Sequence, residues 1–366
     1  MLSNKSKFLI TGGAGFIGSA LGASLVKSYG AHVVAYDSLL EQVHPTGKPP
    51  PEFSPEVELV RRDIRDGAGW RDFFSAYEPE YIVHFAAETG TAQSLVESTR
   101  HASVNVGGTT EMLDAMIATK RMPKSILLSS SRAVYGEGAW QSTAGATYYP
   151  GRRSHKQLAA AAWNPLGPDG QPGHALKHLA GSVFPNPSSI YGSTKLAQEH
   201  VLASWCDAYE VPLSMLRFQN VYGRGQSPTN PYTGIINIFH RQAARNQAIG
   251  VYEDGDIGRD FVYVDDVVAS CVAAMQRTSP EVFLADIGCG QVTTILDAAT
   301  IIARLHTAPQ PVITGQFRDG DIRRAVADIT AMTTTLGVTP TIGFDQGAQI
   351  VGDWLAETSH LTAWGT

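Results

Sequence analysis

Cysteine is scarce in this chain of 366 residues: Cys206, Cys271 and Cys289 are the three present. Their wide spacing and odd number exclude a disulfide framework and a CxxC metal site, and make the reducing cytoplasm the expected location. Charge is scarce too, at 17% against roughly 25% in an average soluble domain. With AVILMFWYC at 43%, a disordered or polyelectrolyte chain is excluded. Lys and Arg number 28 against 34 Asp and Glu, so the formal charge is -6. There is no basic excess to hold nucleic acid or an anionic membrane, although a local anion pocket is allowed. No apolar run approaches the roughly 18 residues of a membrane span. The start, MLSNKSKFLITGGAGFIGSALG, mimics a signal peptide, but glycines in a phosphate-loop pattern break its apolar core. What remains is an enzyme-sized protein with a small-molecule partner.

What the chain does have is alternation. Nearly continuous apolar runs at 8–11, 33–36, 57–60, 81–85, 125–129 and 213–217 read as strands covered on both faces, with amphipathic segments between most of them. The expected fold class is α/β: a Rossmann-type doubly wound parallel sheet with a smaller C-terminal α/β substrate lobe. Residues 1–220 would form the sheet domain, with 139–187 as an insertion in it. Residues 221–366 would form mainly the substrate lobe, with some segments returning to the core and helices near 234–245, 265–276, 295–305 and 346–355. Two stretches fit neither pattern. Residues 38–56 hold five of the 20 prolines and predict a long loop. The insertion 139–187, rich in Gly, Pro, Ala and Trp, reads as a lid, a substrate wall or a disordered segment.

TGGAGFIG at 11–18 stands between the first strand and the first helix. A tight turn at Gly12, Gly15 and Gly18, followed by Phe16 and Ile17, lets backbone N–H groups and the positive helix end approach a pyrophosphate. Asp37, about 20 residues on, is placed to accept the adenosine ribose hydroxyls; it would repel a 2′-phosphate, which favours NAD over NADP. Asp63 and Ile64 follow the third strand, where the carboxylate either meets the adenine amino group or caps a helix. Phe85, Ala86 and Ala87 end the fourth strand, and the alanines let backbone pass close to a flat cofactor.

Tyr191 and Lys195 lie four apart in SIYGSTKLAQEH, on one expected helix face. A lysine cation beside a phenol favours the phenolate and makes Tyr191 a usable base near neutral pH. In the run Ser129-Ser130-Ser131, a hydroxyl after the fifth strand is placed to bond the substrate oxygen. His174 and His178 have an i,i+4 spacing that on a helix would suit a metal, but no cysteine lies nearby and no metal is expected.

Taken in order, TGGAGFIG, Asp37, DIRD (63–66), HFAA (84–87), NVGGT (105–109), SSSRAVYG (129–136), YGSTK (191–195), RFQNVYG (217–223), GRDFVYVDDV (258–267) and GDIRRAVAD (320–328) resemble the nucleotide-sugar epimerase/dehydratase branch of the extended short-chain dehydrogenase/reductases. The resemblance implies an NAD cofactor, a nucleotide-diphosphate sugar substrate and a homodimer built on a four-helix bundle. It implies Tyr191 as acid/base, Lys195 as its activator and ribose ligand, and Ser131 on the sugar, with Ser130 or Ser129 as alternatives. Asn105 and Ser129 fall among the implied cofactor residues. Asn220 would bond the diphosphate, and Arg259 and Arg323 would clamp it, Arg324 being the alternative to Arg323.

Dehydratases of this family carry an Asp-Glu pair after the catalytic hydroxyl, and decarboxylases a Glu; here Arg132-Ala133 follow. The supported reaction is 4-epimerisation by transient oxidation at C4: Tyr191 takes the 4-OH proton as hydride passes to NAD, the 4-keto sugar turns over, and hydride returns to the opposite face. The proline-rich 41–53 segment, the long segment before YGSTK, and Gln226 with NPYTGI (230–235), which includes Tyr232, resemble the subgroup that converts dTDP-L-rhamnose to dTDP-6-deoxy-L-talose. Arg132 either touches substrate or caps the turn. The alternatives are a UDP-glucose/UDP-galactose 4-epimerase, a 4-ketosugar reductase and a non-catalytic NAD-binding protein.

Overall fold

Each predicted apolar run becomes a strand in the computed structural model, which describes residues 2–227, 234–277 and 279–358. These strands are β1 (Lys7–Thr11), β2 (His32–Asp37), β3 (Glu58–Arg61), β4 (Tyr81–His84), β5 (Ser125–Ser131) and β6 (Leu213–Phe218). A further strand, β7 (Phe283–Ile287), pairs with β6 from Phe283 opposite Ser214 to Ile287 opposite Phe218. Among the described residues the main sheet is parallel throughout, in the order β7-β6-β5-β4-β1-β2-β3. β7 lies beyond residue 220, so the main sheet takes one of its strands from the C-terminal part of the chain.

Strand alternation sends Phe8 and Ile10 to one face and Leu9 to the other. The first face packs with Leu21 and Leu25 of α1 (Phe16–Tyr29) and with Val267 and Cys271 of a later helix. The second packs with Trp70 and Phe74 of α2 (Gly67–Ala76), Met112 and Leu113 of α3 (Gly108–Thr119) and Leu202 of α4 (Ile190–Ala208). Each of these fully buried large side chains stabilises the fold by about 1.5–3 kcal/mol. The helices expected in the C-terminal part are α5 (Ile235–Ala244), α6 (Val264–Met275), α7 (Ile295–Leu305) and α8 (Phe344–Glu357). A capping box between Thr294 and Asp297 starts α7. Among the described residues no helix is long and apolar enough to cross a membrane.

The 139–187 insertion is folded. Trp140–Gln141 pairs antiparallel with Thr147–Tyr148 and with His174–Ala175, and His155–Ala159 forms a short helix. His174 therefore lies on a strand, and the helical metal pair it would have formed with His178 does not exist. Arg153 staples the insertion to the lobe. Its buried guanidinium reaches Glu137 at 3.1 Å, Glu253 twice at 2.9 Å and the Asp321 carbonyl at 2.8 Å.

Candidate active site

At the C-terminal ends of the strands, where the order turns back between β1 and β4, lies a cavity of about 1230 Å³. A crevice at this reversal is the usual ligand position in an open α/β sheet. Single small ligands occupy roughly 300–1,000 Å³, so the space suits a dinucleotide together with a second ligand.

At one end stands the glycine loop. Gly12 has φ +64°, and a Cβ on it would lie 2.8 Å from the Ala86 nitrogen; one on Gly18 would lie 2.5 Å from the Gly12 carbonyl. Both positions exclude any side chain. The N-cap of α1, Gly15, makes no side-chain cap bond, which leaves the first N–H groups of α1 and its positive dipole end for an anion. Asp37 is fixed beside the loop, accepting from the Ala14 nitrogen at 3.0 Å and the Leu39 nitrogen at 2.8 Å. Gly12, Gly15, Phe16, Ile17, Gly18, Asp37, Asp63, Ile64, Phe85, Ala86, Ala87 and Ser129 all line the cavity. Asp63 is paired with Arg65 at 2.6 Å, and that hydrogen bond holds its carboxyl below the usual range. The cap of α2 is Asp66, which accepts from the Gly69 nitrogen at 2.9 Å, so Asp63 is not needed there. The uncapped helix start, the glycine cradle and the acid at the end of β2 suit NAD.

Asn105, expected at the cofactor, is fully buried outside the cavity lining. Its Oδ1 accepts from the Glu88 nitrogen at 2.7 Å, and its Nδ2 donates to the Glu88 carbonyl and the Thr194 hydroxyl. All its polar atoms are used in tying the exit of β4 to α4.

At the other end, Tyr191 and Lys195 reach the cavity from successive turns of α4, which is capped by Ser189. Burial pushes the Lys195 ammonium down to about 7 against the opposing charge of Glu199. Burial pushes the Tyr191 phenol up, offset by its hydrogen bond with Ser131 and by the charge of Arg132. Arg132 is thus a cation acting on the phenol besides the lysine that the YxxxK spacing supplies. Of the three serines, Ser130 donates a hydrogen bond to Glu199 and Ser129 donates to the His84 carbonyl at 3.3 Å. Ser131 accepts from the Ala133 nitrogen at 3.1 Å and faces Tyr191.

Beyond Tyr191 the cavity turns cationic. Arg259 donates to Asp321 at 2.7 Å, and Arg132 donates through Nε to the Asn220 Oδ1 at 2.8 Å. Burial, then the nearness of Arg259, pushes the Arg132 guanidinium down to about 9. Arg323, expected in this clamp, is elsewhere: it is buried among Glu253, Asp254 and Asp256, with Nε on Asn164, and does not line the cavity. Arg324 is paired with Asp256 and is also absent from the lining. The arginine of that segment at the cavity is Arg318, its guanidinium 5.0 Å from the Tyr252 ring centre. Its signal in the sequence was a third basic residue just ahead of the Gly-Asp turn. Gln226 lines the cavity with its Nε2 3.4 Å from the Val221 carbonyl; Tyr232 lies outside the described residues. The proline-rich loop also borders the cavity, and its Glu52 accepts from the Trp354 indole of α8 at 2.7 Å, strapping one side to the other.

Residues 8–285 match the NAD dependent epimerase/dehydratase family. The chain is 46% identical over 356 residues to the dTDP-L-rhamnose 4-epimerase of Burkholderia thailandensis, covering 97% of this chain and 96% of that one. Among solved structures it is similar to the UDP-glucose 4-epimerase of Thermotoga maritima with UDP-glucose, at 27% identity and a TM-score of 0.76 over 96% of this chain and 99% of that one. It is also similar to the UDP-glucose 4-epimerase of Thermus thermophilus in complex with NAD, at 25% identity and a TM-score of 0.74 over 95% and 98%. Since the match runs from the first sheet strand into the last, the chain belongs to the NAD dependent epimerase/dehydratase family, and NAD is its cofactor.

Proposed function

We propose that this protein is a nucleotide-sugar 4-epimerase, an isomerase that interconverts dTDP-L-rhamnose and dTDP-6-deoxy-L-talose. The observation that carries the reaction class is that Ser131 and Tyr191 line one cavity, with Arg132 and Ala133 directly after the serine. Arg132 and Ala133 stand where elimination of water would need an acid beside Ser131, so the reading favours epimerisation over dehydration. The 46% identity to a dTDP-L-rhamnose 4-epimerase supports the substrate.

NAD, when bound, supplies the reversible oxidation at C4. The first turn of α1 with Gly12, Gly15 and Gly18 holds its pyrophosphate, Asp37 its ribose and Asp63 its adenine. Tyr191 as phenolate accepts the proton of the sugar 4-OH and later returns it, while the Ser131 hydroxyl holds that oxygen in line. Lys195 supports the tyrosine and reaches the nicotinamide ribose. Asn220, Arg259 and Arg318 bind the diphosphate by charge-assisted hydrogen bonds, with Gln226 beside them. The working form is a homodimer in the cytoplasm, a location supported by three free cysteines.

The test is NMR of the purified protein with dTDP-L-rhamnose, and in separate tubes with UDP-glucose and UDP-galactose, without added nicotinamide. The C4 epimer in the first tube is the expected result. Conversion only in a UDP tube would move the substrate to the UDP-hexoses, and no conversion anywhere after adding NAD would overturn the reading.

A further inference from the structure

Arg132 opens the short 3-10 turn Arg132–Tyr135 immediately after Ser131, half-buried, with its side chain in the cavity that holds Tyr191. Both ends of its position are fixed. The turn is capped by the Ser131 hydroxyl, and the Nε bond goes to Asn220, which starts a strand paired with Phe261–Tyr263. Asn220 is a neutral partner, and among the described residues no carboxylate lies within ion-pair distance of Arg132. The acids around it are engaged: Asp321 holds Arg259, and Asp260 accepts from the Cys289, Gly290 and Ala327 nitrogens. The neighbouring imidazole, His178, is kept neutral by burial, its pKa pushed down to about 3. An uncompensated cation in a partly desolvated place is destabilising, and such groups concentrate at sites of chemistry.

We propose that Arg132 is a second catalytic cation, which stabilises the ionised form of Tyr191 from the Ser131 side. The inference rests on the reading of Tyr191 as the base. Lys195 approaches the tyrosine from the next turn of the same helix, with Glu199 one turn further on, whereas Arg132 belongs to the turn against which that helix starts: a Cβ on Gly192 would lie 2.4 Å from the Ala133 carbonyl. The guanidinium keeps its charge at neutral pH even when pushed down to about 9. Its effect on the phenol is downward, while burial acts upward and the Ser131 hydrogen bond acts downward. Arg259, the other arginine close by, is tied to Asp321 and left to the diphosphate. From the insertion, the neutral His178 stacks on Tyr135 of this turn and Val183 packs against Val134 and Tyr135.

The experiment compares Arg132→Gln and Arg132→Lys as NAD-loaded proteins. Steady-state rates with dTDP-L-rhamnose are taken from pH 5.5 to 9.5, and the Tyr191 phenol is titrated by ultraviolet difference against Tyr191→Phe. A cation within about 4–6 Å lowers an acid's pKa by about 1–3 units. Arg132→Gln should therefore move the acidic limb of kcat and the phenol titration upward by about one unit or more, with kcat near pH 7 down about tenfold and KM little changed. Arg132→Lys should keep both near the wild-type position. Asn220→Asp, which sets a carboxylate on the guanidinium without removing it, should raise the phenol titration as Arg132→Gln does, and it serves if the glutamine variant does not fold. A raised KM with limb and titration unmoved would make Arg132 a phosphate ligand and overturn the proposal, as would an unmoved titration in Asn220→Asp. The titration needs no substrate, so it stands even if the wild type converts none of the tested sugars, which would instead defeat the functional reading.

Discussion

Ser130 donates its hydroxyl to Glu199, in a buried bond that joins the end of β5 to the helix bearing Tyr191 and Lys195. Glu199 also takes Arg217 through Nε at 2.8 Å and Nη2 at 2.7 Å. Side chains alternate along a strand, so Ser130 points away from the face that Ser129 and Ser131 share. Replacing Ser131 by Ala should mainly lower kcat, by about tenfold to a hundredfold, since it removes a contact to the reacting oxygen, with a smaller loss of stability from the missing cap of the Arg132–Tyr135 turn. Ser130→Ala should do the reverse, costing about 1–3 kcal/mol of stability for the acceptor it leaves short. Parallel kinetic and thermal-melt measurements separate the two serines.

Tyr191→Phe keeps the ring and removes the proton acceptor. Turnover should fall by about 10²–10⁴-fold, the range of a lost acid/base group, while calorimetric affinity for the nucleotide sugar stays close to the wild type. Full turnover in this variant would discard the mechanism.

Arg259 and Arg323 should part company when each is changed to Ala. Arg259 lines the cavity, so its loss should raise KM more than it lowers kcat, as expected of contacts equally present in ground and transition states. Arg323 is buried among three carboxylates, and removing it should cost about 3–5 kcal/mol of stability. Chemical denaturation should expose that loss, with KM close to the wild type in whatever fraction remains folded.

Asp286, in β7, accepts from the Tyr135 hydroxyl and the Ala180 nitrogen, and burial raises its carboxyl from 3.8 to about 7. A raised acid binds its proton more tightly in the folded state. The stability it contributes is complete below about pH 4 and is lost as pH rises through about 7. The melting temperature of the wild type relative to Asp286→Asn should therefore fall between pH 5 and pH 8. A difference independent of pH would show that Asp286 is ionised across the range.

Six of the seven strands of the main sheet were legible because each is a buried parallel strand, nearly all apolar. The seventh was missed: Asp286 interrupts FLADI, and the run comes after the pattern has already changed to that of the lobe. The cofactor loop was legible because its glycines obey local sterics, which a sequence carries in full. The anion clamp was less so. Arg318, Arg323 and Arg324 lie within seven residues, and which of them meets the cavity is decided by partners far along the chain, Glu253, Asp254 and Asp256 for one and Tyr252 for another. Asn105 was misplaced for the same reason, since its partners Glu88 and Thr194 belong to other elements. The insertion resisted because its order comes from Arg153 and its distant carboxylates rather than from any periodicity of its own.

The course of the backbone around β7 bears on how ligands come and go. The chain leaves the sheet after Phe218, builds α5 in the lobe, returns through α6 to β7, and leaves again for α7. Sheet and lobe are thus stitched together by several covalent crossings, a layout that resists jaw-like opening about a single hinge and leaves small sliding motions as the available movement. The strap from Glu52 to Trp354 ties the proline-rich loop to α8 as well. A dinucleotide seated beneath these crossings is expected to stay with the protein through desalting, which the nucleotide absorbance of the supernatant after heat release checks.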